Sequence, residues 1–365
     1  MRILHIASHT INVGDGLLNY HLRSRVESHV SEKIDWVLHD VHRTDVLSDA
    51  SMHEFDKIII GGGGGIDGVS NPKTSGMAAN IDFDALGSET LRKTHVVSLG
   101  VNLYRGQNLK TKGALSASLA SILAAGGSVS LRNDGSLARL AKYGLDDTIL
   151  NQITEVADPG FFSDRQQEVS RVLNFPKPYV AINLAADNIV RRLAPKLDKR
   201  GVNRIFGRYF DNKFAENIGS RVKKLLPEYN IVFMPHTLRD LNIYGRLSKK
   251  FFSPKDRAKV FCAPIVPPDR WQTLFSVYDN SEFAIAMRGH ALIYCLAQRV
   301  PVTVFASHPK IDDMADDYGI AKNDIGSSSP LIIPDDKLFS GNDITNRLAK
   351  AIAQFDNQMT EKVFG

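Results

Sequence analysis

Short β-branched runs alternate with longer helical patterns from the first residue to about residue 305, and this alternation narrows the fold more than any other feature of the chain. Strands separated by helical crossovers pair in parallel and bury both faces, so the pattern predicts an α/β architecture. In the first half the candidate strands are 2–7, 34–38, 57–60, 96–99, 127–131 and 155–156. Helices are expected over 15–30, with Leu17, Leu18, Leu22 and Val26 on one face, and over 114–125. A charged stretch over 163–178 then runs into Pro176-Lys177-Pro178, which continues neither a helix nor a central strand. Beyond it the alternation restarts, with strands at 179–183, 231–234, 258–262, 283–287 and 302–305 and helices at 212–226 and 290–298. A length of 365 residues exceeds what one hydrophobic core usually supports. Two domains, 1–170 and 178–365, with a cleft between them, are therefore expected.

The longest apolar runs, 57–66 and 283–287, fall well short of the roughly 20 residues of a membrane span. The N-terminal run 1–7 gives way at once to polar Ser8, His9 and Thr10, which reads as a first strand rather than a signal peptide. Cys262 and Cys295 have no partner at metal-ligand spacing and read as ordinary buried thiols in a reducing cytoplasm. No other His, Asp or Glu cluster has such spacing, so no metal and no cofactor is expected. The net charge of +5 comes from dispersed basic residues without interleaved aromatics, which argues against nucleic acid. Anionic small molecules, or peripheral contact with an anionic membrane surface, explain that balance equally well.

Ligands of open α/β sheets bind beyond the carboxyl ends of strands, so the loops that follow strands are where chemistry is expected. After the first strand, Asn12 and Asp15 stand at a helix start, as caps or beside a bound anion. The run Gly61 to Gly65 forfeits too much conformational entropy to serve stability, and Gly62, Gly63 and Gly64 are expected to let backbone approach a ligand. Arg132 leaves a strand ahead of Asp134 and Ser136, either clamping an anion or pairing with Asp134. Asp158-Pro159 closes the next strand as a turn former or a contact. In the second half His236 ends a strand with Asp240 four residues on. The sharpest signal is Arg288-Gly289-His290, where a buried strand enters a helix and sets a cation and a titratable imidazole beneath its N-terminus. Lys310 offers a further cation after the strand that follows.

Taken in order, Asn12-Val13-Gly14-Asp15, the glycine run, Arg132 with Asp134 and Ser136, Asp158-Pro159, His236 with Asp240, Arg288-Gly289-His290 and Lys310 resemble the polysaccharide pyruvyl transferase family. The resemblance implies two facing Rossmann-like domains, as in GT-B glycosyltransferases, with the active site in the inter-domain cleft. It also implies transfer of a pyruvyl group from phosphoenolpyruvate to a sugar as a ketal, with Arg132, Arg288 and His290 around the donor. Two arginines from opposite domains suit a carboxylate and a phosphate, and a histidine suits protonation of the methylene carbon, with His236 the second candidate. The chain departs from the family's pattern where Asn133 separates Arg132 from Asp134. A basic segment over 191–208, beginning with Arg191 and Arg192, reads as a solvated loop or as a grip on a phosphorylated or lipid-diphosphate-linked glycan acceptor. A nucleotide-sugar glycosyltransferase and a non-catalytic glycan-binding protein remain the rival readings, because fold does not fix function.

Overall fold

A computed structural model describes residues 1–67, 75–105, 107–163, 173–185, 187, 189–194, 200–335, 338–339 and 342–365, with the backbone alone for 200–206, 208 and 342. Six strands form the first sheet: β1 (Arg2–Ala7), β2 (Asp35–Asp40), β3 (Lys57–Gly61), β4 (Thr94–Leu99), β5 (Ser128–Arg132) and β6 (Thr154–Val156). Six more form the second: β7 (Tyr179–Ile182), β8 (Asn230–Phe233), β9 (Val260–Cys262), β10 (Phe283–Ala286), β11 (Val302–Ala306) and β12 (Lys322–Asp324). Every pairing is parallel. The alternation predicts this α/β architecture, and the resemblance implies its GT-B-like pair of Rossmann-like halves. β4 and β10 are buried along their whole length, as parallel strands covered on both faces must be.

The two sheets are wound differently. The first runs β2-β1-β3-β4-β5-β6 and the second β12-β11-β10-β7-β8-β9. Strand order reverses between β1 and β3 in one half and between β7 and β10 in the other. At such switch points the following loops part to opposite faces and leave a crevice. The Asn12 loop follows β1, the glycine run follows β3, and Arg288-Gly289-His290 follows β10, so the strongest sequence signals all fall at switch points.

One apolar cluster spans both halves and joins Val13, Leu17 and Phe161 to Trp271, Phe275 and Ile293. Helix Val13–Glu27 approaches the second half so closely that a Cβ on Gly16 would lie 1.9 Å from the Pro268 carbonyl oxygen. The elements not expected from sequence include β12, the helices Asp240–Lys250, Trp271–Asp279 and Pro309–Asp317, and a C-terminal helix, Asn342–Gln358. That helix and the turn after it set Phe355, Met359 and Val363 against Ile3, Leu22 and Val97 of the first half. The chain thus ends on the sheet it began with, where Arg25 pairs with Asp356, its Nε donating at 2.7 Å. The helix expected over 212–226 starts earlier and runs Arg200–Lys223, because Gly201 and Gly207 blur its periodicity in the sequence. Of the expected linker over 163–178, residues 164–172 lie outside the described residues. No described helix is long and apolar enough to cross a membrane.

Candidate active site

Between the halves lies a cavity of about 880 Å³, lined by loops from both switch points. This is within the size range of small-molecule sites, which run from roughly 300 to 1,000 Å³. The first half contributes Asn12, Asp15, Gly63, Gly64, Asn102 and Tyr104, among others, and the second contributes Asp187, Arg191, Arg192, Arg288, His290 and Lys310.

His290 occupies the first turn of helix Gly289–Gln298, where unpaired backbone amides and the helix dipole favour negative charge. Its Nε2 lies 3.6 Å from Asp15 Oδ1, and its Nδ1 is buried without a hydrogen-bond partner among the described residues. The ring rests on Gly14, where a Cβ would come within 1.9 Å of Nδ1, so only glycine fits. Burial, then the positive charges of Lys310, Arg132 and Arg288, hold the imidazole well below its usual range. Asp15 moves the other way: burial raises its carboxyl despite the Ser8 hydrogen bond and the nearby cations. Lys310 reaches into the cavity and donates to Asn102 Oδ1 at 2.9 Å. Burial and the Arg132 charge lower its ammonium to about 8.

Arg288 lines the cavity, yet its charge is already matched. Its Nη2 donates to Asp240 Oδ1 at 2.6 Å and to Asp187 Oδ1 at 2.5 Å, and its Nε to Asp240 Oδ2 at 3.1 Å. Burial alone would lower this guanidinium, but the two carboxylates outweigh it and raise it. Asp240 Oδ2 also accepts the backbone N–H groups of His236 and Thr237, each at 3.0 Å. Asp187 is shared, because Arg192 Nη2 donates to it at 3.1 Å. Burial would raise Asp187; Arg288 and Arg192 instead hold it well below the usual carboxylate range. The Arg191 and Arg192 guanidiniums stack over Tyr104 at 5.8 and 5.6 Å, and Tyr104 meets the His308 ring edge-on at 4.4 Å.

Several expected contacts lie outside the cavity wall. Arg132, 1% exposed, donates to Asp158 Oδ2 at 2.7 Å and sits 3.3 Å from Asp134 Oδ2. Backbone at Gly100 covers it so tightly that a Cβ there would lie 1.8 Å from its Nη2. It therefore acts on the site through charge from behind the wall, and the pairing with Asp134 is the arrangement found. Asp134 also pairs with Arg139 at 3.1 Å. Asp158 is fully buried and, besides holding Arg132, caps the turn Pro159–Phe162 by accepting from Gly160 N–H. His236 is buried with Nε2 3.1 Å from the Tyr278 hydroxyl, and burial pushes it down to about 3. Gly62 turns away at φ +86°, leaving Gly63 and Gly64 on the wall. Asn12 caps helix Val13–Glu27 and accepts from Gly14 N–H at 2.9 Å, while also facing the cavity. In the basic segment, residues 195–199 and the side chains of Arg200, Arg204 and Arg208 lie outside the described residues.

Sequence reasoning missed Asp187, Asn102, Tyr104 and His308. Each follows a strand of a parallel sheet, and applying the strand-end rule evenly, rather than only to clustered charges, would have singled them out.

Comparison with known proteins agrees with this architecture. A family model described as polysaccharide pyruvyl transferase matches residues 12–309. Among solved structures, the chain is similar to UDP-GlcNAc 2-epimerase from Methanocaldococcus jannaschii, at 11% identity, covering 100% of this chain and 96% of that one with a TM-score of 0.51. It is similar also to a putative UDP-N-acetylglucosamine 2-epimerase from Listeria monocytogenes, at 10% identity, 99% and 90% coverage and a TM-score of 0.50. At such identities the likeness concerns fold. No curated protein matches the sequence.

Proposed function

Because the chain belongs to the polysaccharide pyruvyl transferase family, we propose that it transfers a pyruvyl group from phosphoenolpyruvate to two hydroxyls of one sugar in a glycan, forming a ketal. The observation that carries this reading is the set of groups around His290: a titratable imidazole at a helix N-terminus, with Lys310 beside it and Asp15 across the cleft. The donor carries a carboxylate and a phosphate, and Lys310, Arg191, Arg192 and the helix amides form a cationic wall for both. Burial, and after it the charges of Lys310, Arg132 and Arg288, favour the neutral form of His290. A bound trianion offsets them, and the imidazole takes up a proton together with the donor.

That proton goes to the methylene carbon, leaving a cation-like C2 that a sugar hydroxyl attacks. The C2–O bond to phosphate then breaks, and a second hydroxyl of the same sugar closes the ketal. Of the two hydroxyl protons released, one restores His290 and the other leaves with hydrogen phosphate. Asp15, 3.6 Å from the imidazole, takes the first hydroxyl proton and passes it to His290. Holding donor and diol together supplies much of the acceleration. The test is incubation with phosphoenolpyruvate and a panel of sugars and oligosaccharides, following phosphate release and product mass. One phosphate per sugar, with the sugar heavier by pyruvate less one water, supports the reading. Sugar-dependent consumption of a nucleotide sugar, with phosphoenolpyruvate untouched, would overturn it.

A further inference from the structure

We infer that the face formed by helices Arg200–Lys223 and Asp240–Lys250 docks on an anionic phospholipid surface. The chain's charge is unevenly placed. Residues 189–260 hold 18 Lys and Arg against 6 Asp and Glu, an excess of 12, whereas the whole chain carries +5, which leaves the remainder at −7. Within the fully described stretch 209–260 the excess is still 6, from 11 basic and 5 acidic residues.

The two helices carry part of this excess in the exposed side chains of Lys213, Lys223, Lys249 and Lys250. Ion pairs Arg246–Asp211 at 3.2 Å and Lys250–Glu216 at 2.7 Å hold them side by side. Exposed Tyr209, Lys213 and Ser220 follow helical spacing along one, with exposed Lys224 just past its end, and Asn242 and Lys249 are exposed on the other. Apolar side chains stand among the cations: Leu238 is 73% exposed, Tyr209 61% and Leu241 36%. Cations with interspersed aromatic and aliphatic side chains match an anionic bilayer interface, where the charges meet headgroups and the apolar groups enter the acyl boundary. Nucleic acid would call for the cations without a use for exposed leucines. Leu238 and Arg239 also line the mouth of the cleft, so a docked protein presents its cavity to the bilayer. A glycan carried on a membrane lipid would then reach the site; this consequence alone rests on the transfer reading.

The test is sedimentation of the full-length protein with vesicles of neutral phosphatidylcholine and with vesicles one third phosphatidylglycerol, across a salt series. Binding to the anionic vesicles alone, weakening as salt rises, is expected. The triple variant Lys213→Glu, Lys224→Glu, Lys249→Glu should bind at least about 100-fold more weakly, since each cation near such a surface contributes roughly a factor of five. Leu241→Ser should weaken binding further at fixed charge. These positions lie outside the cavity, so phosphate release with a water-soluble sugar should stay at the wild-type rate, which separates failure of docking from failure of the transfer reading. Absence of vesicle binding at low salt, undiminished binding by the folded triple variant, or preference for a DNA duplex over anionic vesicles would each overturn the proposal.

Discussion

Arg132 leaves β5 in the first half and Arg288 leaves β10 in the second, and each guanidinium is held by two carboxylates. Asp134 and Asp158 hold the first, Asp187 and Asp240 the second. The surroundings differ. Gly100 closes over Arg132, whereas Arg288 opens on the cavity beside His290 and shares Asp187 with Arg192. The walls follow the same division: glycine backbone and amide side chains from the first half, and most of the cations from the second. An arginine at a strand end is thus a ligand clamp or a structural keystone depending on what the adjacent loop does. Charge in the second half should govern donor chemistry, and shape in the first half should govern fit.

The largest effect should come from the titratable group on the charged wall. His290→Gln keeps size and polarity but loses the proton, so turnover should fall by roughly 10²–10⁴-fold with a smaller change in donor affinity. The wild-type rate at saturation should also decline as pH rises through the pKa of the donor-bound histidine, and that limb should vanish in the variant. Normal turnover at saturation with weakened donor binding would reduce His290 to an anion holder, and the separation of chemistry from binding on this wall would go with it.

Next comes the contrast between the two arginines. Arg132→Ala strands buried Asp158, leaves Asp134 to Arg139 and should cost about 3–5 kcal/mol in a urea unfolding experiment. Donor KM of the protein that remains folded should change little. Arg288→Ala takes the guanidinium from buried Asp240 and leaves Asp187 to Arg192, and it should lower kcat/KM for the donor by roughly 10–100-fold. If folded Arg132→Ala loses donor binding as severely as Arg288→Ala, the comparison breaks and Arg132 acts as part of the clamp.

Much of this was readable from the chain. Buried strands announce themselves by β-branched runs, and β1 and β3 begin at the expected residues, with other boundaries shifted by a residue or two. The Arg288-Gly289-His290 signal survived because it combines a strand, a helix start and two charges in three residues. The remainder is invisible for physical reasons. β12 is the polar triplet Lys322–Asp324, and it is a strand only because β11 offers it a ladder. The C-terminal helix carries Ile344, Ala351 and Phe355 at helical spacing, but nothing local says that its partner is the sheet formed some 250 residues earlier. Asp187 follows β7 without a neighbouring motif, and its importance arises when β10 brings Arg288 alongside. Whether Arg132 faced the cleft depended on Gly100, more than 30 residues away in sequence.

Lys310 offers a pH test of the same wall. Burial and the Arg132 charge lower its ammonium to about 8, and an anionic donor favours the charged form. Donor affinity should therefore be complete below that pH and be lost as pH rises through it, with KM climbing toward about tenfold per pH unit beyond. Lys310→Arg stays charged and should flatten the climb while retaining donor binding at pH 7 within a few-fold. An unchanged break near pH 8 in the variant would assign it to another group.

The smallest effects should come from the neutral wall, and two adjacent glycines make the comparison internal. A Cβ on Gly64 would lie 2.2 Å from Asn102 Nδ2, so Gly64→Ala must turn Asn102, whose Oδ1 accepts from Lys310. Forcing a side chain off its rotamer costs about 0.5–1.5 kcal/mol, which sets the expected loss in kcat/KM at roughly two- to tenfold. Part of that loss should appear in donor KM through the displaced lysine. A Cβ on Gly63 meets nothing within 4 Å, so Gly63→Ala adds only a methyl group to open cavity. Its donor kinetics should match wild type. Acceptor KM should shift by less than about threefold, and in a direction that depends on sugar size, with bulkier acceptors losing more, because a methyl contact contributes on the order of 1 kcal/mol at most. Steady-state kinetics with a mono- and an oligosaccharide acceptor would check the pair. If Gly63→Ala alters donor KM and leaves every acceptor untouched, the donor rests on the glycine wall, and the assignment of charge to one half and fit to the other is wrong.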